Sequence, residues 1–144
     1  MKLRLNVDEL NDDFFDNTRL LGITAPVKNY QFCLQLNHLL GYDFRLNPEI
    51  EIHLRKKNHS YYFSVYQSAE PNSFLIHYLY HNQFDGEYLL PEFRHMDFLW
   101  LMKGDPVDDD KCSWIKRAVK NITGVQLVAE LPIEKIKNKG NMVF

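Results

Sequence analysis

The sequence predicts an α+β domain, a mostly antiparallel sheet of about five or six strands with two helices packed on one face. Three observations predict it. β-rich segments recur roughly every 10–15 residues, and the turns between them are too short for crossover helices, so neighbours pair antiparallel. Two other segments, Val27 to Leu40 and Asp108 to Asn121, carry apolar residues at three- and four-residue intervals. Finally, 144 residues that are 45% apolar and 25% charged suit one domain, residues 1–144, whose core needs no metal or disulfide to close it.

Arg19 to Thr24 reads as the first strand. Pro26 sits where a helix can begin, because proline is tolerated in a first helical turn. Tyr30, Cys33, Leu34, Leu36, Leu39 and Leu40 then give the first helix a wide apolar face, and Gly41 is its stop signal. Phe44 and Leu46 alternate with polar residues, and the alternation resumes at Ile50, Ile52 and Leu54 after Pro48, which marks an edge, a bulge or a break. Arg55-Lys56-Lys57-Asn58-His59 is a polar turn. Tyr61 to Tyr66 and Phe74 to Tyr80 follow as strands, separated by Glu70-Pro71-Asn72, with a further turn at Asn82 to Gly86.

Tyr88 to Met102 fits two patterns. A helix starting at Pro91 would be apolar nearly all round. A strand would put Met96, Phe98, Trp100 and Met102 on one face and Leu99 and Leu101 on the other. The second reading, an irregular Pro91 to His95 connection leading into a central strand, is preferred. Asp108-Asp109-Asp110 opens the second helix, since carboxylates favour a helix N-terminus. Val125 to Ala129 is the last strand, Pro132 to Lys137 one helical turn, and Met142-Val143-Phe144 docks on the body. The order is β-α-β-β-β-β-α-β, and the sheet's second face is either solvated or covered by another subunit.

Composition narrows the function classes. The longest apolar run, Phe98 to Met102, falls far short of the ~20 residues of a membrane span, so no membrane partner is expected. Early charge in Met1 to Glu9 does not read as a secretory signal. Two distant cysteines, Cys33 and Cys112, read as buried reduced thiols, which makes the cytoplasm the expected compartment. The basic clusters Arg55-Lys56-Lys57 and Lys135/Lys137/Lys139 are too small for a phosphate-neutralising face, so no nucleic acid is expected. Acidic stretches lie at Asp8 to Asp16 and Asp105 to Asp110.

Leu90-Pro91-Glu92-Phe93-Arg94-His95-Met96-Asp97-Phe98 resembles the motif of the IPExxxVDY family of small bacterial proteins from Bacteroidota. Pro91, Glu92 and Asp97 match it outright; Leu90, Met96 and Phe98 stand for its Ile, Val and Tyr. The likeness takes in Asp12-Asp13-Phe14-Phe15, the Trp100 to Asp105 continuation and the apolar C-terminus. The family carries no established activity that could be transferred to these residues, and no catalytic residue or cofactor is expected. Gene neighbourhoods of the family include acyl carrier protein and the condensing enzyme of fatty-acid synthesis.

Glu92 and Asp97 are the carboxylates of interest. On an extended segment they would lie about 16 Å apart, beyond acid-base pair range unless the chain turns between them. The structural alternative has Glu92 accepting backbone N–H bonds in its own turn and Asp97 pairing with an arginine or lysine. Glu92-Phe93-Arg94-His95 is one copy of a motif that di-metal sites need twice, so no metal is expected there. His77 and His81 share a face, and zinc would need a third ligand from His38, His53 or His59; solvent-facing strand histidines are the simpler reading. Aromatic residues number 20. Tyr61, Tyr62, Tyr66, Tyr78, Tyr80 and Trp100 either line an interface, where aromatics anchor affinity, or fill an aromatic-rich core. These readings lead to a non-enzymatic association domain that self-associates as a dimer. The alternative is a small-molecule or acyl-chain binding domain, or an enzyme, with a Glu92/Asp97 pocket.

Overall fold

The run Phe98-Leu99-Trp100-Leu101-Met102 has apolar residues at every position, which suits a strand covered on both faces. The computed structural model, which describes residues 2–144 and side chains from residue 8, places it at the centre of the sheet. The elements are α1 (Lys2–Phe15), β1 (Arg19–Thr24), α2 (Asn29–Leu40), β2 (Arg45–Leu46), β3 (Ile52–Lys56), β4 (His59–Phe63), β5 (Val65–Ala69) and β6 (Ile76–His81). They continue with β7 (Gln83–Phe84), β8 (Glu87–Tyr88), β9 (Phe98–Lys103), α3 (Asp109–Lys120) and β10 (Leu127–Leu131). Short 3-10 turns cover Pro91–Phe93, Ile133–Lys135 and Lys139–Met142. No described helix is long and apolar enough to cross a membrane.

The main sheet has six strands in the order β10-β1-β9-β6-β5-β2, every pair antiparallel. The expected α+β class and antiparallel pairing are therefore those of the molecule, and the expected strand number is that of its main sheet, with two further two-stranded hairpins beside it. Register sets the two cores. Trp100 lies opposite Leu21 of β1 and Leu79 of β6, and with Phe98 and Met102 it faces α2 and α3. Phe32, Cys33 and Leu36 of α2 and Cys112, Ile115 and Val119 of α3 close this side. Each fully buried side chain of this size stabilises by about 1.5–3 kcal/mol. Gly41 ends α2 in the left-handed conformation (φ 79°), its N–H donating to Asn37 O. The Asp108 carboxylate caps α3 by accepting from Lys111 N–H at 2.8 Å.

Leu20, Leu99, Leu101, Tyr78 and Tyr80 face the other way. That face is neither solvated nor left for a second subunit. The chain covers it with Phe15 at the end of α1, Ile52 and Phe63 of the β3–β4 hairpin, Leu89, Leu90 and Met96, and Ile136 and Met142 of the C-terminal segment. The Tyr80 hydroxyl donates to Met142 O at 2.9 Å and fixes the docked terminus.

Three features of the molecule depart from the sequence expectation. Most of the acidic Asp8 to Asp16 stretch belongs to a third helix, α1, with Asp16 in the turn just after it. Tyr61 to Tyr66 is not one strand: the chain breaks at Ser64, leaving β4 paired only with β3 in a separate hairpin while β5 joins the main sheet. Met96 does not continue the alternation of β9. The turn before that strand sends its side chain to the opposite core, against Gly22, where an added Cβ would lie 2.9 Å from Met96 Sδ. Glycine at position 22 is what admits the methionine.

Candidate functional site

Proline at the first position of a helical turn loses nothing, because that N–H has no intrahelical partner. Pro91 occupies this position in the 91–93 turn, which Phe93 N–H closes onto Leu90 O at 3.0 Å. The segment's other backbone groups are gathered by Asn82, which is fully buried. Its Nδ2 donates to Phe93 O and Met96 O, both at 2.9 Å, and its Oδ1 accepts from Leu90 N–H at 2.8 Å. Its own backbone N–H donates to Asp97 O, and its carbonyl accepts from Leu89 N–H. Asn82 escaped sequence reasoning because a lone asparagine before a turn has no periodicity to mark it.

The two carboxylates of the segment part company. Glu92 reaches beyond its own turn: its Oε2 and Oε1 accept from Asn138 backbone N–H and Asn138 Nδ2, each at 3.0 Å, anchoring the C-terminal segment. Burial pushes the Glu92 carboxyl up, but the bonds from Asn138, together with the nearby backbone N–H groups of Glu92 itself and Lys137, outweigh it and hold the group below its ordinary value. Among the described residues Asp97 meets no arginine or lysine; its Oδ2 accepts from Ala25 N–H at 2.8 Å, while its own N–H donates to Ile23 O. The pair therefore serves two different elements, and neither carboxylate lines the cleft beside α3 or the hollow at the end of α1. His95 is exposed, with its carbonyl accepting from Thr24 Oγ1. Phe98 packs against Phe32 at a ring-centroid distance of 4.6 Å, a contact that needs no hydroxyl.

The histidines are also redistributed. His77 is not solvent-facing; it is fully buried, and Trp100 Nε1–H donates to its Nδ1 at 2.9 Å. With Nδ1 accepting, Nε2 carries the proton and donates to Glu70 Oε2 at 2.8 Å. Glu70 Oε1 in turn accepts from Lys111 Nζ of α3. Burial lowers the His77 pKa against the opposing pull of Glu70. Glu70 feels the reverse: burial raises it, and the bonds from Lys111 and His77 bring it below its ordinary value. His53 and His59 lie on the β3–β4 hairpin and His38 on α2. Among the described residues no group of three His, Cys, Asp or Glu side chains is placed to hold a metal ion.

Glu70 and Lys111 open onto a cleft of about 470 Å³ between the C-terminal end of α2, the end of β5 and α3. Leu40, Tyr42, Trp114 and Ile115 supply its apolar walls. Burial, reinforced by the Glu70 charge, pushes the Tyr42 hydroxyl up to about 12, so it stays a neutral donor. Trp114 is 53% exposed. A larger hollow of about 560 Å³ lies beside the end of α1, but the Arg19 and Glu130 groups on its wall are already engaged. Arg19 Nε and Nη2 bond both Glu130 oxygens at 2.9 Å, and Nη2 also meets Asp109.

Of the six aromatics singled out from the sequence, Trp100, Tyr80 and Tyr78 are buried and belong to the core, not to a surface. Tyr61 and Tyr66 are half-buried. Tyr62 is exposed, and it does not stand alone. The His53 ring stacks on it at 4.8 Å with an interplanar angle of 11°, and Phe84 of β7 meets it edge-on at 6.5 Å. His53, Tyr62 and Phe84 thus form one continuous aromatic face across two hairpins, flanked by Arg55, Lys56 and Lys57. Compared with known proteins, the chain matches no family model and no curated protein.

Proposed function

We propose that this chain is a protein-association domain, binding rather than catalysing, and that it self-associates through the aromatic face of its hairpins. One observation carries the reading: Tyr62 and Phe84, 47% and 41% exposed, sit edge-to-face in a continuous patch with His53. Interfaces select exposed aromatic rings as anchors. Covering the exposed parts of those two rings removes roughly 170 Å² from water per copy, taking about 200 Å² for a whole ring. At 25 cal/mol/Å² that is worth about 4 kcal/mol before the cost of association. On this reading the chain is an IPExxxVDY-family member whose Leu90 to Phe98 motif serves as architecture. The buried, unpaired Cys33 and Cys112 support a cytoplasmic, reducing setting.

Sedimentation equilibrium tests it. The wild-type chain is expected to be dimeric at about 100 μM, and Tyr62→Ser to be monomeric with an unchanged melting temperature. A wild-type monomer at that concentration removes the proposal. A second reading, a small-molecule binding domain, is favoured by the cleft in which Tyr42, Glu70, Lys111 and Trp114 converge. Saturable quenching of Trp114 fluorescence by members of a metabolite panel, abolished in Tyr42→Phe, would support that site over the hairpin face.

A further inference from the structure

We infer that the surface received by the hairpin face is the acidic side of α1 on a second copy of this chain, giving a two-fold dimer with two identical contacts. The inference rests on the self-association proposed above and names its partner surface. Asp8, Glu9, Asp12, Asp13 and Asp16 are all exposed, with Leu10 63% exposed among them. Among the described residues, Asp12 alone of these five has an ion pair, to Lys139 at 3.5 Å. The hairpin presents the complement: residues 52–59 contain Arg55, Lys56, Lys57, His53 and His59 and no acid. Arg55 and Lys57 have no ion pair among the described residues, and Lys56 meets only Glu87.

Geometry makes the match intermolecular. Phe15 of α1 and Ile52 and Phe63 of the hairpin belong to the same core, so both surfaces lie on one side of the sheet. The 139–142 turn stands between them, packing on β3 and close enough to α1 that a Cβ on Gly140 would lie 3.0 Å from Asn11 Nδ2. The acids and bases of one chain are thereby kept apart. A two-fold axis on that side sets each hairpin against the other copy's α1, the self-complementary arrangement that closes a dimer. Opposite charge fixes the register, and the rings with Leu10 supply the apolar contact.

Charge exchange is the test. Arg55→Glu with Lys57→Glu makes an acidic hairpin, and Asp8→Lys with Asp13→Lys makes a basic α1; all four positions are exposed and outside the Lys56–Glu87 and Asp12–Lys139 pairs. Each double variant, checked for unchanged melting temperature, is expected to dimerise at least about tenfold more weakly than wild type. An equimolar mixture of the two is expected to recover wild-type affinity, because both contacts of the mixed dimer are again complementary. Raising salt from about 50 to 500 mM weakens the wild-type dimer and not its fold. A wild-type dimer unaffected by either double variant, or two weakened variants whose mixture does not recover, overturns this pairing while leaving self-association standing. A monomeric wild type overturns both.

Discussion

Replacing Asn82 with alanine tests whether the Pro-Glu segment is held by one buried amide. In the folded chain that side chain supplies three hydrogen bonds, to Leu90 N–H, Phe93 O and Met96 O. Phe93 O keeps a second donor, Met96 N–H at 2.9 Å, so its loss is minor. Leu90 N–H and Met96 O are left without these partners in a buried setting, at about 1–3 kcal/mol each. A small cavity adds to that, giving about 3–5 kcal/mol in all. For a chain of this size the melting temperature should fall by about 10 °C, and the urea midpoint by about 2 M at constant slope. Asn82→Asp should be no better, because it retains the acceptor for Leu90 but turns an oxygen towards two carbonyls. Equilibrium urea unfolding is the assay. A midpoint shift below about 0.5 M for the alanine variant would refute the claim that this amide organises the segment.

Two further outcomes follow from the same structure. The His77 pKa is lowered from 6.5 on folding, so between the two values the unfolded chain binds a proton that the folded chain refuses. Its contribution is complete above 6.5 and is lost as pH falls through the folded value, with a slope of up to about 1.4 kcal/mol per pH unit. His81 is lowered by burial as well and shares that window, while Glu70, lowered from 4.5, adds a second loss below that pH. Unfolding free energy measured from about pH 8 to 4 should fall in these two stages; His77→Gln should make the first shallower, leaving the part due to His81, and weaken the second, since His77 helps hold Glu70 below 4.5. Glu92→Ala should cost about 1–2 kcal/mol and speed amide exchange at Asn138, since it removes both bonds to that residue. Unchanged exchange there would separate Glu92 from the C-terminal anchor.

Much of the fold was legible because its signals are local. Arg19–Thr24 reads as a strand and is one, Gly41 stops α2 through its positive φ, and Asp108 caps α3 through its own carboxylate. The five apolar residues of β9 announce a strand covered on both sides. What was not legible depends on partners distant in sequence. The β3–β4 hairpin leaves the main sheet at Ser64, although Tyr61, Phe63 and Val65 alternate without interruption across the break. Helix α1 carries four carboxylates within six residues, Asp8 to Asp13, and its charge hides its helical period. His77 reads as a surface histidine in a strand because nothing nearby reveals Trp100 above it or Glu70 and Lys111 beside it.

The same distinction separates architecture from function in the recognisable motif. Buried polar groups are tolerated when each finds a partner, and a segment that must turn from a peripheral hairpin into a central strand exposes many at once. Asn82 satisfies three of them, Asp97 holds Ala25 N–H on the neighbouring β1 side, and Glu92 reaches the C-terminal segment that covers the second core. Residue types that suggest acid-base chemistry when read along the chain are thus consumed in joining three parts of the fold. Groups with spare capacity lie elsewhere: the aromatic and basic hairpin, the acidic α1, and the cleft beside Lys111, which keeps donors beyond the one given to Glu70. Substitutions in the motif should therefore move stability first and association only through it, whereas substitutions on the hairpin should move association alone.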